Sequence, residues 1–131
     1  MISTKGRYAL RVMLDLSEQD SDSYIPLKDI AERQNISKKY LEIIVKELTH
    51  HKFVIGVSGK GGGYKLSRKP SEYTVGEIIE IMEGSLAPVA CLADPDYKCD
   101  RCDKCKTLPM WTEFNNLVHN FFYDKKLSDL L

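Results

Sequence analysis

Cysteine occurs at only four positions in this chain, histidine at three and tryptophan at one. Outside residues 91–105 there is no cysteine at all, so no disulfide framework braces the ends of the chain and a hydrophobic core must hold them. At 131 residues, 43% of them hydrophobic, the chain is one domain by length and buries roughly two-thirds of its unfolded surface. It also lacks any run of about eighteen apolar residues, which leaves no candidate for a membrane-spanning helix. The opening Met1-Ile2-Ser3-Thr4-Lys5-Gly6-Arg7 has no apolar stretch behind its basic residues. A cytoplasmic protein with reduced thiols and no membrane partner is therefore expected. Missing too are a Ser-His arrangement and a paired acid and base, so the chain does not read as an enzyme. No internal repeat, low-complexity tract or domain-separating linker is visible.

Net charge is also absent, but only in sum. From Lys28 to Lys69 there are ten basic residues against four acidic ones, a surplus of six offset by an equal deficit elsewhere. One basic block inside a neutral protein suggests a face meant for a polyanion, the bland alternative being a solvated lysine-rich surface.

The four cysteines are concentrated as Cys91, Cys99, Cys102 and Cys105, in the order C-x7-C-x2-C-x2-C. Scattered structural thiols sit singly among apolar neighbours, whereas these are interleaved with Asp94, Pro95, Asp96, Lys98, Asp100, Arg101, Asp103, Lys104 and Lys106. The C-x2-C-x2-C run matches the spacing by which short loops wrap an iron–sulfur cluster, because two intervening residues let consecutive thiolates point at one inorganic core. Zinc usually takes two separated C-x2-C knuckles, and only one side here has that form. An iron–sulfur cluster is thus the first reading, zinc the second and a thiol switch the third.

Ser3 or Thr4 suits the N-cap of a first helix in which Tyr8, Ala9, Val12, Met13 and Leu16 recur at helical spacing, ending near Gln19. Asp20 to Ser23 is a turn. A short helix after Pro26 carries Leu27, Ile30 and Ala31 inward and breaks near Gln34-Asn35. Ser37 then caps a longer helix that buries Leu41, Ile44, Val45 and Leu48 and leaves Lys38, Lys39, Glu42, Lys46 and His50 outside. The run Phe53 to Val57, the glycine-rich Ser58-Gly59-Lys60-Gly61-Gly62-Gly63 and then Tyr64 to Ser67 predict a β-hairpin. Thr74-Val75-Gly76-Glu77 is a capping box, opening a helix that buries Ile78, Ile79 and Met82 and stops near Gly84. Pro109 starts a last helix whose Met110, Trp111, Phe114, Leu117, Val118, Phe121 and Phe122 form one apolar stripe. The earlier helices already supply a core, so that stripe predicts a homodimer interface.

Helix, tight turn, helix and hairpin is the order of a winged helix-turn-helix. The expected fold is mainly α with a small β-hairpin wing: a winged DNA-binding region over 1–84, a cysteine-rich cluster-binding loop over 85–108, and a dimerisation helix with a C-terminal tail over 109–131. The second helix of such a unit lies in the major groove of double-stranded DNA. Ser37, Lys38, Lys39, Tyr40, Glu42 and Lys46 are the residues expected to face it. Ser58, Gly59, Lys60 and Gly61 would bring backbone and one charge to the minor groove. Lys5, Arg7 and Lys28 are further candidates for DNA contact. The glycine stretch lacks the strand-then-helix context and the terminal Lys-Ser/Thr of a nucleotide loop. A protein-docking winged helix has no need of these lysines.

At Ser3-Thr4-Lys5-Gly6-Arg7-Tyr8-Ala9, Ile36-Ser37-Lys38-Lys39-Tyr40-Leu41-Glu42, Gly61-Gly62-Gly63-Tyr64 and Cys105 with Trp111, the chain resembles the IscR-like winged-helix regulators. That family includes cluster-sensing, nitric-oxide-sensing and cysteine-metabolism repressors. The resemblance covers nearly the whole chain. It implies a dimeric bacterial transcription factor, usually a repressor on a palindromic operator, built on the helix after the cysteine loop. It also implies cluster ligation by Cys91, Cys99 and Cys105, [2Fe–2S] ahead of [4Fe–4S]. Some relatives add a His three residues after the last cysteine, where this chain has Leu108. Others add a carboxylate or His from the partner's first helix, but Met1 to Leu14 contains none. Cys102 is the candidate fourth ligand, and His119 is read as a surface or dimer-face residue. Ser58 stands where relatives often place an Arg. The competing function class is a small redox or electron-transfer protein using the same cysteines.

Overall fold

Ser3 lies in extended conformation and its hydroxyl accepts the Gly6 N–H at 3.4 Å, which starts helix α1 (Thr4–Ser17). The computed structural model describes residues 2–131, and Met1 lies outside the described residues. After the turn at residues 20–23 comes α2 (Leu27–Gln34), which ends on Asn35 in the left-handed region. Two residues later Ser37 caps α3 (Lys38–His50) by accepting the Tyr40 N–H at 3.1 Å. Strands β1 (Val54–Val57) and β2 (Gly63–Leu66) pair antiparallel from Val54 opposite Leu66 to Val57 opposite Gly63. Ile25 adds one bridge to Tyr64, tying the hairpin to the entry of α2. This is a winged helix, as the sequence predicts.

The core is shared by α1, α2, α3, β1 and α4 (Val75–Glu83). Ala9, Val12 and Met13 of α1 meet Ile30, then Leu41, Ile44, Val45 and Leu48, then Ile78 and Met82, all buried. The capping box of α4 forms as its sequence implies, with Thr74 and Glu77 bonded reciprocally. Two polar residues are also built into this core. Asp15 is only 2% exposed on the inner face of α1, where it accepts two bonds from Arg33, at 2.8 and 3.0 Å, and one from Gln34 at 2.9 Å. Tyr73, fully buried, donates its hydroxyl to the Phe53 carbonyl at 2.7 Å and accepts the Ser67 and Arg68 N–H groups at 3.1 and 3.0 Å. Every buried side-chain nitrogen and oxygen among the described residues has a partner, so these groups orient α2 and the wing without an unpaired side-chain polar atom.

Beyond Gly84 the chain differs in two respects from a plain loop, rod and tail. The cysteine segment contains a short helix α5 (Ala90–Ala93). The rod, α6 (Leu108–Asp124), is followed by residues that fold back: Val75 donates to the Lys125 carbonyl at 2.8 Å and Leu127 to the Tyr73 carbonyl at 3.0 Å. Leu127 is fully buried. One apolar side chain and two backbone bonds make the C-terminus part of the head's core rather than a loose tail. Among the described residues no helix is long and apolar enough to cross a membrane.

Candidate functional site

Burying Leu41, Ile44, Val45 and Leu48 forces the other face of α3 outward, and Lys38, Lys39, Glu42, Lys46 and His50 are exposed there. Between that face and the wing runs a groove of about 910 Å³, lined by Glu42, Lys46, Thr49, His50, His51 and Ser58 together with Glu47, Gly56, Val57 and Tyr64. The structure thus brings Glu42, Lys46 and Ser58 to one groove. Glu47, Thr49, Gly56, Val57 and Tyr64 were not anticipated there; their signal is the alternation of the strand and the last turns of the helix. The wing tip turns through Gly59 and Gly61 at φ 89° and 78°, a conformation that favours glycine. Gly62 closes the turn on the Gly59 carbonyl at 3.0 Å and leaves Lys60 exposed.

Lys5 and Arg7 occupy the first turns of α1, and Lys28 the start of α2. Arg7 donates to the Thr4 hydroxyl at 3.1 Å. Among the described residues none of Lys5, Arg7, Lys28, Lys38, Lys39, Lys46 or Lys60 is in a salt bridge. Their charge is therefore available to an outside anion. Tyr40 behaves differently, its ring standing edge-on to Tyr8 at 5.6 Å and half-buried against the core. At the far end of α3, His50 and His51 meet edge-to-face and His51 lies 3.9 Å from Glu47.

The cysteines come from three places: Cys91 from α5, Cys99 and Cys102 from a turn in which Cys102 N–H donates to the Cys99 carbonyl at 3.2 Å, and Cys105 from the approach to α6. All four are free thiols and all four line one cavity of about 440 Å³, walled otherwise by Leu92, Tyr97, Lys98 and Leu108. The Thr107 hydroxyl, 3.3 Å from Cys105 Sγ, holds that thiol below its ordinary pKa. The Asp103 carboxylate, 3.7 Å from Cys102 Sγ, pushes the Cys102 thiol up. Among the described residues, no three His, Cys, Asp or Glu side chains are gathered as they would be around a bound ion. The donor set nonetheless fits a soft metal or an iron–sulfur cluster, being all sulfur, with three largely apolar side chains and one lysine as walls. Leu108, three residues after Cys105, belongs to those walls. His119 is not among them and stacks on Tyr123 at 4.2 Å.

On α6, Met110, Phe114, Leu117 and Phe121 are exposed, while Trp111, Val118 and Phe122 line an apolar cavity of about 430 Å³ with Phe114, Ile2 and Ser85 to Pro88. No residue of the helix is fully buried. Its one firm polar anchor is the Tyr123 hydroxyl, which donates to Glu80 of α4. Burial and then this carboxylate push the phenol pKa up.

Two further groups connect these regions and were not anticipated. The Glu83 carboxylate, at the last residue of α4, accepts the Ser3 N–H at 2.8 Å and the Ser3 hydroxyl at 2.7 Å. Gly6 permits that approach, since a Cβ there would collide with the Glu83 carboxylate. The Asp15–Arg33 pair had one sequence signal, an acid in phase with the apolar face of α1.

The Rrf2 family model, described as iron-dependent transcriptional regulator, matches residues 2–131. A putative HTH-type transcriptional regulator of Azotobacter vinelandii is 36% identical over 130 residues, covering 99% of this chain and 78% of that protein. The HTH-type transcriptional regulator IscR of Vibrio atlanticus is 35% identical, covering 99% and 74%. Among solved structures, CymR, the global cysteine regulator of B. subtilis, superposes with a TM-score of 0.79 at 32% identity, covering 99% of this chain and 95% of that one.

Proposed function

The chain belongs to the Rrf2 family of DNA-binding transcriptional regulators, and on that premise we propose that it is a dimeric repressor whose hold on a palindromic operator is set by an iron–sulfur cluster on Cys91, Cys99, Cys102 and Cys105. One observation carries the reading: all four thiols line a single cavity in the segment that joins the winged head to α6. A cluster bound there would supply a centre sensitive to oxidants and to small ligands such as oxygen or nitric oxide. Lys98, in the cavity wall, would offset the negative charge of gathered thiolates, beside the apolar side chains of Leu92, Tyr97 and Leu108.

The segment leaves the head two residues after Glu83, which caps the Ser3 end of α1, the helix that carries Lys5 and Arg7. Beyond the segment, the far end of α6 is held to α4 and to Tyr73 through Tyr123 and Leu127. Ordering or release of the cysteine segment would therefore move the near end of the α6 stripe while its far end stays with the head. In a dimer built on that stripe, the two recognition helices must lie about 34 Å apart to reach successive major grooves.

Anaerobic purification with iron, sulfide and zinc analysis and a visible spectrum tests the ligand set. The expected result is iron and sulfide in the wild type and reduced retention in Cys102→Ser. Equal operator affinity for loaded and metal-free protein at fixed salt would refute control by the cluster. On the DNA side, Lys39→Ala and Lys60→Ala each weaken binding and lower the salt slope by about one. A second reading, a metal-free or zinc-based thiol regulator, is favoured by the ungathered ligands and by the likeness to a cysteine regulator. Material with no sulfide whose operator affinity follows thiol oxidation or zinc decides for it.

A further inference from the structure

On α3 the direction opposite the buried face, at about 100° per residue, is held by Lys39, Ile43, Lys46 and His50, spaced i, i+4, i+7 and i+11. Three of these suit a polyanion. The fourth is an isoleucine with 50% of its surface exposed, belonging neither to the core nor to the apolar side chains packed against it. A β-branched residue there gives the helix less than lysine or alanine would. Its neighbours one turn away on either side are unpaired lysines, so it is no part of an apolar patch that another protein would cover.

From this arrangement we infer that Ile43 is a specificity-determining residue that reads the C5-methyl group of a thymine in the major groove. Of the groups that base pairs present there, only that methyl is apolar; the rest are hydrogen-bond donors and acceptors that isoleucine cannot satisfy. Lys39 and Lys46 flank it within one turn and reach phosphates or guanine acceptors, so the stripe encodes an A·T pair set between charged contacts. Placed on any other base edge, Ile43 desolvates a polar group without replacing its bonds, and that penalty is what discriminates.

The inference rests on α3 being the DNA-reading helix, and the experiment separates the two. The full chain, purified anaerobically, is used to select duplexes from a randomised pool at fixed salt. Thymines of the recovered site are then replaced one at a time by deoxyuridine, which removes only the methyl. Wild-type protein should lose about 3- to 5-fold in affinity at one thymine position of each half-site. Ile43→Ala should bind the thymine and deoxyuridine duplexes equally, with its salt slope unchanged. Ile43→Gln should shift the selected base at that position toward adenine. Because the side chain is outside the core, both variants should keep the wild-type melting temperature. Deoxyuridine tolerated at every position, or the same loss in Ile43→Ala, overturns the role of Ile43 while leaving α3 as the reading helix. Recovery of no preferred sequence by the wild type overturns both.

Discussion

Residues 2–84 and residues 85–131 treat apolar surface in opposite ways. Every fully buried hydrophobic side chain except Leu127 belongs to the first region, whose four helices and hairpin close on one another. The second has a 17-residue helix with no fully buried residue, an apolar stripe open to solvent and four thiols around a cavity. The head is therefore stable through contacts within one chain. The remainder holds to the head through Tyr123 and Leu127 and leaves half-exposed Phe and Leu side chains whose covering would contribute on the order of 1 kcal/mol each. The proposed function would use this division: a rigid head and a part whose arrangement can respond to what covers it.

Four substitutions sharpen or break that contrast. The largest effect is expected for Leu48→Ala, which leaves a cavity where α3 faces the core and should cost about 3 kcal/mol in urea unfolding. Next is Asp15→Ala, which removes three charge-assisted bonds and strands Arg33 and Gln34. About 2 kcal/mol should be lost, with α2 loosened against α1 in amide exchange.

Glu77→Gln is smaller and depends on pH. Burial raises the Glu77 pKa, but the Thr74 N–H and the Arg68 guanidinium outweigh it, so the folded value lies below the ordinary 4.5. A lowered folded pKa stabilises above the unfolded value and is lost as pH falls through the folded one. Wild-type stability should therefore decline below about pH 4.5 more steeply than that of Glu77→Gln, which should cost about 1 kcal/mol at neutral pH. Parallel pH curves for the two would remove Glu77 from the account.

Least affected is Leu117→Ala, on a side chain 63% exposed. Dilute protein should unfold within about 0.5 kcal/mol of wild type, while the concentration dependence of its melting temperature, the mark of an oligomer, should weaken. If Leu117→Ala cost as much as Leu48→Ala in the dilute monomer, the two regions would not differ in kind.

The five longer helices and the hairpin were legible because each announces itself within a few residues: Ser37 and Thr74 as caps, Gln34-Asn35 as a break, the glycines after Ser58 as a tight turn; the short α5 gave no such signal. The four thiols were legible as a group from their spacing. The pairing of Asp15 with Arg33 and Gln34, the seating of the Tyr73 hydroxyl, the Glu83 contact with Ser3 and the return of Leu127 were not. Each joins residues between 18 and 80 positions apart along the chain or closes the two ends of the head. Such contacts carry no local period.

What the sequence determined by itself is the set of longer elements, their inner faces, the basic surface of α3 and the wing, and the sulfur-rich segment, because propensity, capping and hydrophobic phase act over one or two turns. Only the tertiary structure decided that the four thiols share one cavity, that Tyr40 turns toward Tyr8 while Ile43 stays outside, and that the C-terminus folds back beneath Tyr73. Those outcomes depend on which distant surfaces meet, and that is set by the close fit of the whole core.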